Sequence, residues 1–223
     1  GMGYFSDQIL ISDNPGNPTS SNQNSLIAKD IDNDGDLDII NCAQTKLAWY
    51  ENTDGQGNFV QRVIEETIIG GTTVYAVDLD GDTDLDLLVS KNSVANVSEV
   101  LWYKNTDGLG NFEAQDVLAN SNIYDKANAF ADDLDGDGDF DVLIIYRFEN
   151  KISWHKNLDG QGNFGPEIII NASVNEGASV HTGDIDGDGD KDVMSTQGLS
   201  VLWYENTDGL GTFGAPNNVH NEG

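Results

Sequence analysis

Residues 30–38 read DIDNDGDLD, which places five aspartates within nine positions. Three later stretches repeat this alternation of aspartate with other residues: DLDGDTDLD at 78–86, DLDGDGDFD at 133–141 and DIDGDGDKD at 184–192. The first residues of successive stretches lie 48, 55 and 51 positions apart. Such regular spacing indicates an internal repeat of about fifty residues.

A second motif has the same period. An aromatic pair and a glycine-rich turn follow each acidic stretch: WYENTDGQGNF from Trp49, WYKNTDGLGNF from Trp102, WHKNLDGQGNF from Trp154 and WYENTDGLGTF from Trp203. Because two independent motifs share one spacing, the chain is built from four copies of one structural unit.

Each unit has the pattern of four short strands. In the first copy, SLIA at 25–28 precedes the acidic stretch and LDIINC at 37–42 follows it, while 46–51 and 59–65 supply a third and a fourth strand. Helical periodicity is absent. Four strands per fifty residues predict an all-β propeller of four-stranded blades. We expect one domain over 1–223, with an N-terminal outer strand and linker at 1–24 and repeats at about 25–70, 71–123, 124–176 and 177–223.

The number of blades in the ring is left open by the sequence. The segment Tyr4–Ile11 resembles the predicted fourth strands, which favours a four-bladed ring that this segment closes. The two alternatives are a larger ring shared by two chains and a fragment of a longer array. The ring-sharing alternative would make the protein a homo-oligomer.

The charge of the chain excludes several partners. Its 223 residues include 39 acidic and 10 basic ones, for a formal net charge of −29. We therefore expect no nucleic-acid partner, because the chain repels phosphate, and no docking on anionic membranes. There is no apolar run of 18 residues, which predicts no membrane insertion. The N-terminus also lacks the pattern of a signal peptide, so we expect that any export signal is not part of this chain.

The acidic stretches have the composition of calcium loops. Crowded carboxylates repel one another unless a cation compensates them, and oxygen ligands without His or Cys suit calcium. We expect side chains at loop positions 1, 3, 5 and 9 and the backbone carbonyl at position 7 to bind the ion. The candidate residues are Asp30, Asp32, Asp34, Asp36 and Asp38 in loop 1; Asp78, Asp80, Asp82, Asp84 and Asp86 in loop 2; Asp133, Asp135, Asp137, Asp139 and Asp141 in loop 3; and Asp184, Asp186, Asp188, Asp190 and Asp192 in loop 4.

Loop 2 departs from the pattern at position 6. Gly35 occupies this position in loop 1 and permits the positive φ that a tight loop needs. Loop 2 has Thr83 there, and a β-branched residue disfavours positive φ. We therefore predict that the second site binds calcium more weakly or with distorted geometry.

Two other calcium motifs are excluded by spacing. An EF-hand loop ends in a bidentate glutamate at position 12 and is flanked by helices. Position 12 holds Asn41, Val89, Ile144 and Ser195 here, and the flanks have strand character. A calcium β-roll would repeat every nine residues.

With these motifs, the chain from Ser25 to Phe213 resembles the FG-GAP or VCBS-type repeats of integrin-α-like propellers, whose loops read DxDxDGxxD. The WYEN and DGxGxF segments resemble those of secreted bacterial members. The resemblance implies a calcium-binding propeller that is secreted or on the cell surface. It leaves the partner open, because the family includes adhesion modules, lectin-like domains and enzyme-associated domains.

We therefore predict a calcium-stabilised extracellular binding or adhesion module with a protein or glycan ligand. The alternative is a lectin-like polysaccharide-binding domain or a domain associated with a carbohydrate-active enzyme. Catalytic residues are not expected, because GxSxG, HExxH, phosphate-loop and dinucleotide motifs are absent. The tryptophans, present once per repeat, are predicted to pack between blades rather than stack on sugar. His155 and Cys42 are predicted to be packing residues in the interior.

Overall fold

The computed structural model describes residue 11 and residues 25–43, 45–92, 97–121 and 127–219. Within these ranges no helix is long and apolar enough to cross a membrane. The strands there are β1 (Ser25–Lys29), β2 (Asp38–Cys42), β3 (Leu47–Asn52), β4 (Phe59–Glu65), β5 (Ile69–Val77), β6 (Asp86–Asn92), β7 (Ser98–Asn105), β8 (Phe112–Ser121), β9 (Ala127–Asp132), β10 (Asp141–Tyr146), β11 (Lys151–His155), β12 (Ile168–Asn171), β13 (Gly177–Gly183), β14 (Asp192–Gln197), β15 (Ser200–Tyr204) and β16 (Asn217–Asn218).

Consecutive strands form four antiparallel sheets of four strands each, which we call blades 1 to 4. The all-β propeller predicted from the repeats is thereby confirmed. The strands of each blade lie within one predicted repeat, except that β5 begins at Ile69, two residues before the expected boundary.

Apolar β-branched residues explain which strands are central. Strand β10 (DVLIIY) is buried along its whole length, since both of its faces meet neighbouring blades. The fourth strand of blade 1, β4, is mostly exposed and lies at the sheet edge. A register shift between Leu47 and Ala48 interrupts its pairing with β3.

The core consists of apolar layers between neighbouring blades. We call the face that a blade turns toward the next blade its leading face, and the opposite one its trailing face. In the first layer, Ile31, Leu47 and Trp49 on the leading face of blade 1 pack with Val74 and Leu101 on the trailing face of blade 2. Two further layers join blades 2 and 3 and blades 3 and 4.

Tryptophan fixes each of these joints. Trp49, Trp102 and Trp154 are buried, which confirms their predicted packing role. Each indole lies against a turn glycine of the next blade so closely that a methyl group at that glycine would collide with the ring. The three glycines are Gly110, Gly162 and Gly211.

The blades form an arc. The first strands contact one another in succession, β1 with β5, β5 with β9 and β9 with β13. Among the described residues no contact of comparable extent joins blade 4 to blade 1. The predicted closing strand Tyr4–Ile11 lies outside the described residues apart from Ile11.

Candidate metal centre

Each acidic loop connects the first strand of a blade to the second. The ninth loop residue is the first residue of that second strand, as Asp38 is of β2 and Asp141 is of β10. The antiparallel hairpin therefore places the start and the end of the loop side by side.

Carboxylates at positions 1, 3 and 9 converge in all four loops. In each loop, one oxygen from each of these three side chains lies within 4.8 Å of the other two. The four triads are Asp30, Asp32 and Asp38; Asp78, Asp80 and Asp86; Asp133, Asp135 and Asp141; and Asp184, Asp186 and Asp192. Three of the five predicted aspartates in every loop are thus brought together.

The position-9 aspartate also ties the loop to the sheet. Asp38 is buried, and its Oδ2 accepts a hydrogen bond from Ile31 N at 3.0 Å while its Oδ1 accepts one from Asn52 N at 2.8 Å. The same two backbone bonds recur at Asp86, Asp141 and Asp192. This carboxylate therefore joins the loop to the third strand as well as facing the triad.

Burial makes the charge on this carboxylate costly. Desolvation raises the pKa of Asp86 to about 6 and that of Asp141 to about 7, even though the backbone bonds lower both. Desolvation also raises the pKa of Asp38, and the negative charges of the neighbouring Asp34 and Asp30 raise it further. A bound cation would favour the charged form at each of these positions.

Three buried carboxylate oxygens lack a donor. Position-1 Oδ2 accepts a hydrogen bond from the position-6 backbone N–H, at 3.0 Å between Gly35 N and Asp30. Among the described residues, no hydrogen-bond donor reaches the buried Oδ1 atoms of Asp30, Asp80 and Asp135. Buried oxygens normally have a partner, and an all-oxygen set is what calcium prefers. The residues present therefore fit a calcium ion.

Positions 5 and 7 lie outside the triad. Asp34 Oδ1 accepts a hydrogen bond from Asp36 N at 2.8 Å, and the equivalent bond forms in the other three loops. The Asp36 side chain is directed at the turn residue Gly55, where a Cβ atom would collide with it. That orientation leaves only the backbone carbonyl of position 7 as a candidate ligand.

Loop curvature depends on two residues with positive φ. Position 6 has φ of 94° at Gly35 and 79° at Thr83, so loop 2 keeps the shape of the others with a residue that disfavours it. Position 4 was not among the predicted positions, yet it has φ of 60° at Asn33 and 72° at Gly81. The recurrence of Asn or Gly at this position was the available signal.

Two lysines that the sequence motifs did not predict as part of the site reach into loops 2 and 3. Lys104 Nζ contacts Asp80 and lies 3.3 Å from Asp82. Lys156 contacts Asp135 and lies 3.0 Å from Asp137. Burial is the largest single influence on the pKa of Asp137 and raises it, but the hydrogen bonds from Lys156 and Asp139 N and the charge of Lys156 together outweigh burial, so that the pKa is lowered. The signal was the alternation of WYEN with WYKN and WHKN, since blades 1 and 4 have Glu51 and Glu205 at this position.

The turn-motif asparagine links neighbouring blades. Asn105 Nδ2 in blade 2 donates to Ile31 O in loop 1 at 3.1 Å. Asn157 and Asn206 make the equivalent bonds, at 2.9 Å, to Leu79 O and Leu134 O. Each loop is therefore held by its own blade and by the next one.

The other predicted interior residues are inert in their surroundings. His155 is buried, with Nδ1 lying 3.0 Å from Gly165 O, which confirms its packing role. Cys42 is also buried, and desolvation raises the pKa of its thiol to about 12.

A cleft of about 720 Å³ opens between blades 1 and 2 next to the triad of loop 1, from which it takes Asp32 as a lining residue. Its polar lining includes Asp32, Glu51, Gln61, Arg62 and Asn111. Arg62 Nε donates to Glu51 Oε2 at 2.8 Å. The cleft therefore presents charged and amide groups beside the ion loop of blade 1.

Comparisons with known proteins agree with this architecture. A sequence model of the FG-GAP-like repeat family matches residues 30–89 and 133–195, together more than half of the chain. No curated protein sequence gives a significant match. Among solved structures, a lectin from Agrocybe aegerita, described for its specific recognition of non-reducing terminal N-acetylglucosamine, is 21% identical with a TM-score of 0.58, and the similarity covers 87% of this chain and 51% of the lectin.

AofleA from Arthrobotrys oligospora is 13% identical with a TM-score of 0.55, and the similarity covers 88% of this chain and 56% of AofleA. The chain thus spans about half the length of these proteins. At these identities the likeness establishes the fold alone. Four equivalent acidic loops on four propeller blades, together with the match over more than half of its length, show that this chain belongs to the FG-GAP-like repeat family.

Proposed function

We propose that this protein is a non-enzymatic, calcium-stabilised propeller that serves as an extracellular binding or adhesion module. The observation that carries the proposal is the recurrence of one aspartate triad at the same place in all four blades. A solvated acidic surface does not require its carboxylates to converge, or to leave buried oxygens without a donor.

Calcium would be held by the side chains at positions 1, 3, 5 and 9 and the carbonyl at position 7. When bound, the ion supplies positive charge that offsets the repulsion among these groups. Four ions of charge +2 contribute 8 positive charges, which changes the formal net charge from −29 to about −21.

The supply of calcium supports a location outside the cell. Extracellular calcium modules have dissociation constants of about 10⁻⁴ to 10⁻³ M and remain loaded in their surroundings. We therefore place the protein in a secreted or cell-surface setting.

Thermal unfolding in EDTA and in excess calcium tests the proposal. Ligand at about 100 times its dissociation constant stabilises a fold by about 2.7 kcal/mol per site, which corresponds to a melting midpoint higher by about 5–10 °C. The Asp30→Asn variant should lose part of this shift. The Glu113→Gln variant, altered at an exposed position of β8, should keep all of it. Equal midpoints in EDTA and calcium would exclude calcium stabilisation.

Carbohydrate binding is the second candidate, favoured by the cleft between blades 1 and 2. Its carboxylate, guanidinium and amide groups match the hydroxyls of a sugar. The buried ring of Trp49 leaves little surface for stacking, so recognition would rest on these polar groups.

A glycan array distinguishes binding from catalysis. We expect saturable binding without product, and a loss of at least tenfold in affinity for Arg62→Ala. The matched control is Gln115→Ala on the fourth strand of blade 2, outside the cleft. Release of a cleaved sugar would instead identify an enzyme, and absence of binding to any glycan would favour a protein ligand.

A further inference from the structure

Blade 4 exposes residues that the other blades bury. Loop position 2 is buried as Ile31, Leu79 and Leu134, but Ile185 is 43% exposed. One leading-face position of the third strand is also buried in the first three blades, where it holds Leu47, Val100 and Ile152. At the same position of blade 4, Val201 is 41% exposed. The sequence keeps these positions apolar in all four repeats, so the leading face of blade 4 has the composition of a joint. In the part of the chain that the structure describes, no blade packs against this face to the extent seen at the three joints.

Blade 1 shows the complementary situation on its trailing face. Val74 and Val180 are 4% exposed where they enter the apolar layers, but Leu26 at the equivalent position of β1 is 65% exposed. Ala48 and Tyr50 on the same face are buried, so its open part runs along the first strand.

The turn of blade 1 also retains the unused half of a joint. Gly57 corresponds to Gly110, yet among the described residues a methyl group at Gly57 would have only Phe59 of its own turn within 4 Å. Asn52 Nδ2 donates to Leu37 O of its own loop at 3.3 Å, as Asn157 and Asn206 do in their own loops. Within the described residues it makes no bond to another blade, whereas the three other asparagines each donate to the preceding blade. Trp203 of blade 4 corresponds to the three tryptophans that pack on a turn glycine of the next blade, but it is partly exposed.

We infer that the leading face of blade 4 docks on the trailing face of blade 1 in a second copy of this chain. Three joints within the chain define the chemistry of the contact, and these two faces supply its two halves. Because each copy has both halves, two copies form two identical head-to-tail joints and close one ring of eight blades. This contact does not depend on calcium, since it consists of apolar packing and an asparagine hydrogen bond.

Sedimentation equilibrium of the whole chain in calcium-containing buffer tests this inference. We expect twice the 24.1 kDa mass of the chain across the micromolar range. Val201→Glu and Leu26→Glu each place a charge on a different half of the joint and should each give the single-chain mass. Leu210→Glu, at a turn residue that is 69% exposed, adds the same charge elsewhere and should leave the dimer intact. Circular dichroism should show equal strand content in all of them.

Mixing the two charged variants tests the head-to-tail arrangement. A mixed dimer retains one intact joint, so equal amounts of Val201→Glu and Leu26→Glu should recover part of the dimer. A single-chain mass for the unaltered protein would overturn the inference. A dimer that survives Leu26→Glu would overturn it as well, because it would show that blade 1 is not the partner of blade 4.

Discussion

At the scale of single residues, loop curvature depends on side chains that tolerate positive φ. Asn33 suits such a conformation because its short polar side chain is compatible with the left-handed region. Thr83 does not, because a β-branched side chain crowds the backbone there. Loop 2 nevertheless has its triad in place, so the surrounding hairpin imposes the conformation on Thr83.

Replacing Thr83 with glycine should therefore stabilise the protein. Relief of the strained φ is worth about 1–3 kcal/mol, and the greater freedom of glycine in the unfolded chain removes about 0.5–1 kcal/mol. We expect a net gain of about 1 kcal/mol in the free energy of unfolding, measured by urea denaturation. The reciprocal Gly138→Thr variant, at position 6 of loop 3, should lose a comparable amount. A less stable Thr83→Gly variant would show that Thr83 makes a contact that outweighs the strain.

At the scale of elements, each ion loop is paired with the third strand of its blade. In blades 2 and 3 that strand supplies Lys104 and Lys156, whose ammonium groups already compensate the aspartates at positions 3 and 5. In blades 1 and 4 it supplies a glutamate instead. The four loops are alike in backbone but differ in charge.

Calcium should consequently bind in two classes of sites. A tethered ammonium group competes with the ion, and removal of a partly exposed ion pair changes the free energy by about 1 kcal/mol, or roughly fivefold in affinity. Titration calorimetry should show that calcium binds more tightly in blades 1 and 4. The double variant with Lys104→Glu and Lys156→Glu should bring the calcium affinities of the four sites together. Lys46→Gln, whose ion pair with Glu66 is remote from the loops, is the matched control. Four equal sites in the unaltered protein would contradict this prediction.

At the scale of the whole molecule, the sequence predicts the fold because one pattern occurs four times. Strand alternation around Leu37–Cys42 and the turn after Trp49 recur at a constant spacing, so each copy supports the assignment of the others. The aspartates at positions 1, 3 and 9 were predictable for the same reason. Their convergence follows from an antiparallel hairpin, which brings the two ends of a loop together.

The remaining features depend on packing between units, which one repeat does not specify. Asn105 acts on a carbonyl 74 positions away in the preceding loop, and no local pattern identifies that partner. Lys104 lies at a position where two of the four repeats have glutamate, and its contact with Asp80 appears only when the third strand is placed beside the loop. The exposed Ile185 has the same apolar character as its buried counterparts, so only the arrangement of blades distinguishes it.

The bond from the turn asparagine to the preceding loop has a consequence for how such a chain changes over time. Every internal joint uses the same four partners: a tryptophan, a turn glycine, an asparagine and a loop carbonyl. Duplication of one fifty-residue unit within the gene would therefore bring a matching partner to both of its borders. Chains of different length can arise in this way without any new residue being selected at a border.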